Sequence, residues 1–438
     1  MPSNEHFTEY CQQVSQQIRW KRVRRVVAQE LEQHLCDQQD AYVEQGHDAD
    51  EAARMAVAQM GDAQMVGQAL NQTHRPQTPW LPMFVILVLL AVGLVLQSVL
   101  SPDAIWALPY GIAAAAFFLG YFMDTSLLGR HAGKVYGLVL ALSLLALFRI
   151  RVSLHAVMLG HSFAVLSLPP FNIMLGNLAL IFPMAYGLFV YRMRNRGMLG
   201  IVFCGLAYLP FAGILFCIPT IIGFLLYTIA SLVLLCMAIW QGWFQVRRGR
   251  GLALVLIAAL VYLGVFFVAL FSAESLRFRI FLNTGLDMDS FEYLHYQARE
   301  IIAQAVFWGE GSGDLSGIPC LETDYALIYG IHRFGLGPFL ALMLLSVGLC
   351  IFCVRRGLRQ QSMLGKLLVL AVSTTFILQV LSYGVTNLGY GLFGVISFPF
   401  VSYGGTALVF NALLMGCMLS VFRMGPWVRD SVAAAQKV

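Results

Sequence analysis

The sequence predicts an all-α, polytopic membrane protein with about ten transmembrane helices and a small N-terminal cytoplasmic helical domain. Three observations lead there. Of the 438 residues, 59% are apolar and only 12% are charged, and the mean hydropathy is +0.73. A soluble domain carries about 25% charged residues, so this composition argues against a soluble enzyme, a disordered tail or a nucleic-acid binder. The charge is also split. Residues 1–79 hold 7 Lys/Arg and 11 Asp/Glu, net −4, whereas the rest hold 21 and 12, net +9. Finally, apolar stretches near the roughly 20 residues needed to cross a bilayer recur at 80–100, 104–123, 135–150, 173–191, 198–217, 220–240, 251–272, 326–354, 363–386 and 404–422.

The domain plan follows in chain order. Residues 1–75 read as short amphipathic helices, with Val27, Leu31 and Leu35 forming one apolar stripe. Asp48 and Glu51 fit a capping box, Gly61 fits a helix stop and Asp62 fits the next cap. Arg19, Lys21, Arg22, Arg24 and Arg25 around Trp20 form a basic face, read as solvated or as facing anionic headgroups. The acidic run Glu30–Leu35, then Gly46, Asp50-Glu51-Ala52 and Met60-Gly61-Asp62 resemble a helical prefix domain found ahead of permease-like membrane proteins. That resemblance implies a docking or regulatory module. Residues 76–79 link it to a membrane domain over 80–425, and 426–438 form a tail.

Cys204, Cys217, Cys236, Cys350, Cys353 and Cys417 lie in or beside apolar runs and read as small hydrophobes, Cys350-x-x-Cys353 included. With the polar domain inside, the inner loops gather Arg130, Lys134, Arg192, Arg194, Arg196, Arg247, Arg248, Arg250, Arg355, Arg356, Arg359 and Lys366. By the positive-inside rule both termini are then cytoplasmic. The outer segment 273–325 is too long and polar for a connector. It holds Glu274, Asp287, Asp289, Glu292, Glu300, Glu310, Asp314, Glu322 and Asp324, nine of the twelve acids beyond the polar domain. A site is therefore expected on this outer loop.

Four stretches in order carry a family resemblance. Arg277 leads to Phe281-Leu282-Asn283 and Asp287; Tyr296-Gln297 follows; then Pro319, Thr323-Asp324-Tyr325 and Gly335-Leu336-Gly337; last comes Pro399-Phe400-Val401-Ser402-Tyr403-Gly404-Gly405. Together they resemble the shape, elongation, division and sporulation (SEDS) family, which includes RodA and FtsW. The chain departs from the family pattern at Thr284, in a shortened glycine-rich stretch before Pro319, and at His332-Arg333, where the family has an acidic pair.

The resemblance implies a peptidoglycan glycosyltransferase that polymerises lipid II at the outer face of the bacterial cytoplasmic membrane. A sugar hydroxyl is a weak nucleophile, and a carboxylate that takes its proton accelerates attack by about 10²–10⁴-fold. Asp287 is the first candidate for this base and Asp289 the second. Arg277 and Arg279 suit the pyrophosphate, because a guanidinium bonds oxygens in pairs. Tyr296, Gln297, Asp324, Ser402, Tyr403, Gly404 and Gly405 complete the expected substrate site, with Asp324 read either as a helix cap or as an orienting group. The backbone N–H groups at Tyr403–Gly405 are read as facing an anion or as allowing close packing. No protein metal site is expected; Glu310 is a weak ligand candidate, and a divalent cation (Mg or Mn) is the one cofactor considered. Expected partners are lipid II, membrane lipids and a class B penicillin-binding protein, with no nucleic acid. His155 and His161 read as structural, and Pro210 and Pro219 as helix bends or walls of a lipid groove. A precursor flippase and a non-catalytic scaffold of the cell-wall machinery are the alternatives.

Overall fold

The computed structural model describes the chain except residues 1–4, 74–77, 104–105, 154–164, 169–170, 219, 273–290, 319–320, 391–394 and 426–438. It divides into two compact units, Met1–Thr78 and Pro79–Val438.

The first unit contains α1 (Glu5–Gln17), α2 (Lys21–Glu44), α3 (Ala49–Met60) and α4 (Ala63–Thr73). One of these expected short helices is long, since α2 runs for 24 residues. The stripe Val27, Leu31 and Leu35 is buried, together with Phe7, Val14, Ala52, Ala53 and Ala56. Asp48 caps α3 by accepting from the Asp50 N–H, and Asp62 accepts from the Met65 N–H at 3.1 Å. Gly61 ends α3 with φ 84°, a left-handed conformation that glycine adopts at little cost. Within the basic cluster, Arg24 Nε donates to the Ile18 carbonyl at 2.6 Å and so ties α2 back to the end of α1. Burial pushes the Cys11 thiol up to about 11, which keeps it a neutral core group.

The second unit is a helical bundle. Its spans are α5 (Trp80–Leu100), the shorter α6 (Ala107–Phe122), α8 (Ala132–Ser153), a 3-10 turn Leu175–Leu180 leading into α9 (Phe182–Met193), α10 (Gly197–Cys217), α11 (Ile221–Trp240) and α12 (Arg248–Ser272), with a short α7 (Thr125–Arg130) after α6. Beyond α13 (Phe291–Ala303) and α14 (Ala326–Phe334) come α15 (Leu336–Leu358), α16 (Met363–Val385) with a π-turn at Thr386–Tyr390, and α17 (Gly405–Met424). Among the described residues nine of these helical segments are long and apolar enough to cross a membrane, and α6 is a shorter apolar helix. The protein is a multi-pass, all-α membrane protein. A two-stranded hairpin, β1 (Val165–Leu168) and β2 (Phe171–Met174), is a local exception.

The span expected at 326–354 is two helices. Gly335, at φ 93°, ends α14 and allows α15 to start in a new direction. Span nine overruns its expected end through the π-turn, where Gly389 takes φ 80°. Pro210 lies inside α10, where it removes a backbone donor. Nearby carbonyls find side-chain partners: Tyr136 Oη donates to the Ala207 carbonyl at 2.6 Å, and Tyr227 Oη to the Tyr208 carbonyl at 3.4 Å. Tyr208 in turn shares a 2.7 Å hydrogen bond with Thr228. Pro210 itself is exposed on the outer side of α10, opposite these tyrosine contacts. Pro219, His155 and His161 lie outside the described residues.

Helices α6 and α17 touch backbone to backbone. A Cβ on Gly416 would overlap the Phe117 carbonyl, and one on Gly120 would press on the Leu413 carbonyl. Small residues permit this approach where lipid supplies no hydrophobic drive between helices. Deeper in the bundle, Gln379 and Asn411 exchange two 2.9 Å hydrogen bonds between α16 and α17. Each amide thereby meets the need for an internal partner within hydrocarbon.

Candidate active site

A polar cluster lies where α5, α16 and the start of α17 meet the segment before α14. Its centre is Glu322–Tyr325. The Glu322 carbonyl accepts from Gln97 Nε2 and from the Tyr403 N–H, each at 2.9 Å. Its carboxylate accepts from the Ser101 hydroxyl. One residue on, Tyr383 Oη donates to the Thr323 carbonyl at 2.7 Å, and Asn387 Nδ2 donates to the Asp324 carbonyl at 2.9 Å. The same two side chains then receive the first N–H groups of α14. Ala326 N donates to Tyr383 Oη at 3.1 Å and Ile328 N to Asn387 Oδ1 at 3.2 Å.

This settles the role of Asp324 in the helix start. The N-cap position belongs to Tyr325, which makes no side-chain cap bond, and α16 supplies the acceptors instead. The Asp324 carboxyl is therefore not the cap. It is half-buried, and desolvation raises it above the ordinary carboxylate range while a hydrogen bond from the Thr323 side chain opposes the rise.

The 398–405 segment forms the other wall. Phe398 N donates to Ser402 Oγ at 2.7 Å, closing a turn that places Phe400 at φ 71°. Gly93 of α5 lies directly under the Phe400 carbonyl, where a side chain would collide, and Tyr110 Oη reaches that carbonyl at 3.4 Å. Gln97 Nε2 also donates to the Val401 carbonyl at 3.3 Å. The Tyr403 ring meets the Trp106 indole edge-on at 4.7 Å, and Trp106 Nε1 donates to the Ser101 carbonyl at 2.9 Å. Gly404 is the N-cap of α17 and Gly405 its first residue. Of the N–H groups expected to face an anion, that of Tyr403 is engaged by Glu322. Ser402 is buried, and its hydroxyl serves the Phe398 turn.

Two buried oxygens stand out. Gln97 Oε1 and Ser397 Oγ have no hydrogen-bond partner, as is also true of Gln38 Oε1 and Ser231 Oγ elsewhere among the described residues. A buried acceptor left alone costs about 1–3 kcal/mol. Gln97, Ser101, Tyr383 and Asn387 were not among the residues singled out from the sequence. The signal for Gln97 is an amide in the last turn of an otherwise apolar span; for Asn387 it is an amide just after one.

The other expected site residues fall less centrally. Tyr296 is half exposed on α13, and the Gln297 side chain packs against Gly317. Asp287, Asp289, Arg277 and Arg279 lie outside the described residues. Among the described residues no three His, Cys, Asp or Glu side chains converge to hold a metal ion. Glu310 instead pairs with Arg333 at the surface.

No family model matches the chain. The fold is that of known cell-wall proteins. A solved peptidoglycan synthase complex, described as coordinating polymerisation and crosslinking, contains a chain that superposes with a TM-score of 0.62 at 19% identity, covering 79% of this chain and 98% of that one. RodA of Thermus thermophilus superposes with a TM-score of 0.52 at 18% identity, covering 79% and 97%. In sequence, a probable peptidoglycan glycosyltransferase FtsW of Acinetobacter baylyi is 27% identical over 169 residues, which is 37% of this chain and 42% of the relative. The peptidoglycan glycosyltransferase RodA of Mycobacterium leprae is 26% identical over 176 residues, 39% and 37%. The chain thus spans about two fifths of the length of the curated relatives it matches. The membrane unit shares the fold of these RodA-type proteins.

Within the membrane unit, two of the sequence signatures that lie apart in the chain meet in space. Thr323-Asp324-Tyr325 and Ser402-Tyr403-Gly404-Gly405 are joined through the Glu322 carbonyl. Where the SEDS pattern has an acidic pair before Gly335, Arg333 forms a pair with Glu310, exposed on both sides.

Proposed function

We propose that this protein is a peptidoglycan glycosyltransferase that polymerises lipid II at the outer face of the bacterial cytoplasmic membrane, with both termini cytoplasmic. The observation that carries the reading is the half-buried Asp324, whose backbone carbonyl is held by Asn387 two residues after the Glu322 carbonyl that takes the Tyr403 N–H, in a RodA-like fold. The names of the FtsW and RodA relatives support the activity. The gathering of Lys and Arg in the alternate loops supports the orientation.

In this reading the acceptor sugar hydroxyl attacks the anomeric carbon of the donor. The bond to the lipid pyrophosphate breaks, and the hydroxyl proton passes to Asp287, or to Asp289 in the second assignment. Arg277 and Arg279 hold the leaving pyrophosphate. Asp324 orients the acceptor from the bundle side, and Tyr296 and Gln297 border the donor. No step is routed through a metal ion. The partner is a class B penicillin-binding protein that crosslinks the glycan; the solved synthase complex with the same fold, which couples the two reactions, supports such a partner.

The test is polymerisation of labelled lipid II by the purified protein, alone and with a candidate transpeptidase, with and without Mg²⁺ or Mn²⁺. Glycan product from the wild type and its loss in Asp287→Ala support the assignment. Full activity in both Asp287→Ala and Asp289→Ala removes the proposed base. Lipid translocation without any glycan product favours a flippase.

A further inference from the structure

The segment between α13 and α14 exposes Val306, Phe307 and Trp308, with Phe307 59% and Trp308 68% accessible. Large aromatic groups are rarely left in water without a purpose when they sit side by side. Their placement is fixed by the backbone. Leu336 N donates to the Val306 carbonyl at 3.0 Å and Gly337 N to the Phe307 carbonyl at 2.9 Å. Further out, Gly309 N donates to the Phe334 carbonyl at 3.2 Å and Gly311 N to the His332 carbonyl at 2.7 Å. The segment therefore runs alongside the joint between α14 and α15, level with the first turn of a membrane span. At about 1.5 Å per residue, the 23 residues of α15 are long enough for the roughly 30 Å hydrocarbon core. Their first turn falls at the membrane–water boundary.

The indole also has a defined neighbour below it. The Trp308 ring lies against Gly337, where an added Cβ would sit 3.1 Å from ring atoms. Gly337 heads a helical face that continues through Leu340, Leu344, Val347 and Ile351, all exposed in the bundle. These positions recur at intervals of three and four residues and form one stripe. On a membrane span that stripe faces lipid. Trp308 is the top of it, and Phe307 stands edge-on to Trp308 with ring centroids 5.5 Å apart. Below the headgroups the stripe is purely aliphatic; at its head the chain places an indole and a phenyl ring. This is the distribution that interfacial aromatic belts show.

We propose that Val306-Phe307-Trp308 is a membrane-interface anchor that seats the extramembrane segment on the headgroup layer. Its occupant is the bilayer surface itself, continuous with the lipid in contact with α15. The anchor bears on a folded unit: Ala298, Ile301, Ile318, Tyr325 and Ile328 form a small core that links α13 to the start of α14. Holding Phe307 and Trp308 at the boundary fixes the height of that core, and of Asp324 beside it, above the bilayer. The proposal is independent of the reaction assigned above, because it rests on placement and exposure alone.

The test uses the full-length protein and its Trp308→Phe variant in bilayer nanodiscs. The difference between their emission spectra isolates Trp308 from the other tryptophans. The expected result is emission shifted to shorter wavelength than free indole in water, with greater loss of intensity when lipids carry bromine high on the acyl chain than when it lies near the bilayer centre. Aqueous iodide should quench it weakly. A difference spectrum that responds to iodide and not to brominated lipid would overturn the anchor, and the aromatic pair would then be a docking surface for protein. A Phe307→Ser, Trp308→Ser double variant provides a second reading. It should raise hydrogen exchange across 304–311 in nanodiscs while leaving the exchange of α16 and α17 unchanged; unchanged exchange across 304–311 would also overturn the anchor.

Discussion

Two buried polar clusters in the membrane unit are built in opposite ways. Around Pro210, tyrosine hydroxyls from α8 and α11 meet carbonyls of a proline-interrupted helix, and Tyr208 pairs with Thr228. That cluster contains no carboxylate and lies wholly within spans. Around Glu322, amide and hydroxyl side chains from two spans, α5 and α16 with its π-turn, hold an extramembrane backbone in place, two carboxyl groups are included, and Gln97 Oε1 and Ser397 Oγ are left unpartnered. The first cluster ties α8, α10 and α11 together through hydroxyl and carbonyl groups. The second holds an extramembrane segment that carries carboxyl groups. Polarity within a membrane protein therefore has to be read with its composition and with what it holds in place.

The contrast breaks most sharply at Asp324. Asp324→Asn should insert and fold normally yet lower lipid II polymerisation by about a hundredfold, the scale of a misplaced reactant. Wild-type activity in this variant would remove the distinction between the clusters. The raised carboxyl has a second consequence. The folded chain holds this proton more tightly than the unfolded chain, so its contribution to stability is largest below the ordinary aspartate range. That contribution declines as pH rises through the raised value, and Asp324→Asn should flatten the decline in a thermal-melt series.

Next in size, Gln97→Leu removes the donor shared by the Glu322 and Val401 carbonyls. A loss of about 1–3 kcal/mol is expected for the Val401 carbonyl left alone, since the Glu322 carbonyl keeps the Tyr403 N–H, together with reduced activity; denaturation and polymerisation assays read the two effects separately. Tyr208→Phe, in the cluster around α10, should cost about 1 kcal/mol and leave turnover unchanged. A large drop in turnover would show that this cluster also serves the reaction. Smallest is Glu310→Gln. Its pair with Arg333 is exposed on both sides, so stability should change by less than about 1 kcal/mol, and any dependence on divalent cation should be the same as in the wild type.

Hydropathy alone laid out the spans, because a bilayer demands long apolar runs and tolerates few substitutes. The caps at Asp48 and Asp62 were equally legible, since each satisfies donors within three residues. Local patterns gave no warning of the break at Gly335. Nothing apolar ends there, and the new direction of α15 is fixed by hydrogen bonds from its first two N–H groups to the carbonyls of residues 306–307, thirty positions upstream. The site was half legible for the same reason. Its acids and its Tyr-Gly-Gly turn are visible as motifs, whereas Gln97, Tyr383 and Asn387 look like stray polar residues until the fold brings them to the 322–328 backbone.

A single oxygen, the Glu322 carbonyl, is gripped by a side chain near the end of α5 and by the amide just ahead of α17. Sliding either helix along its axis by a fraction of a turn would stretch or break a grip and drag the acid two residues further along the chain. A force applied to the flank of the bundle, by a neighbouring helix or by thickening of the bilayer, therefore arrives at that acid as a change in position.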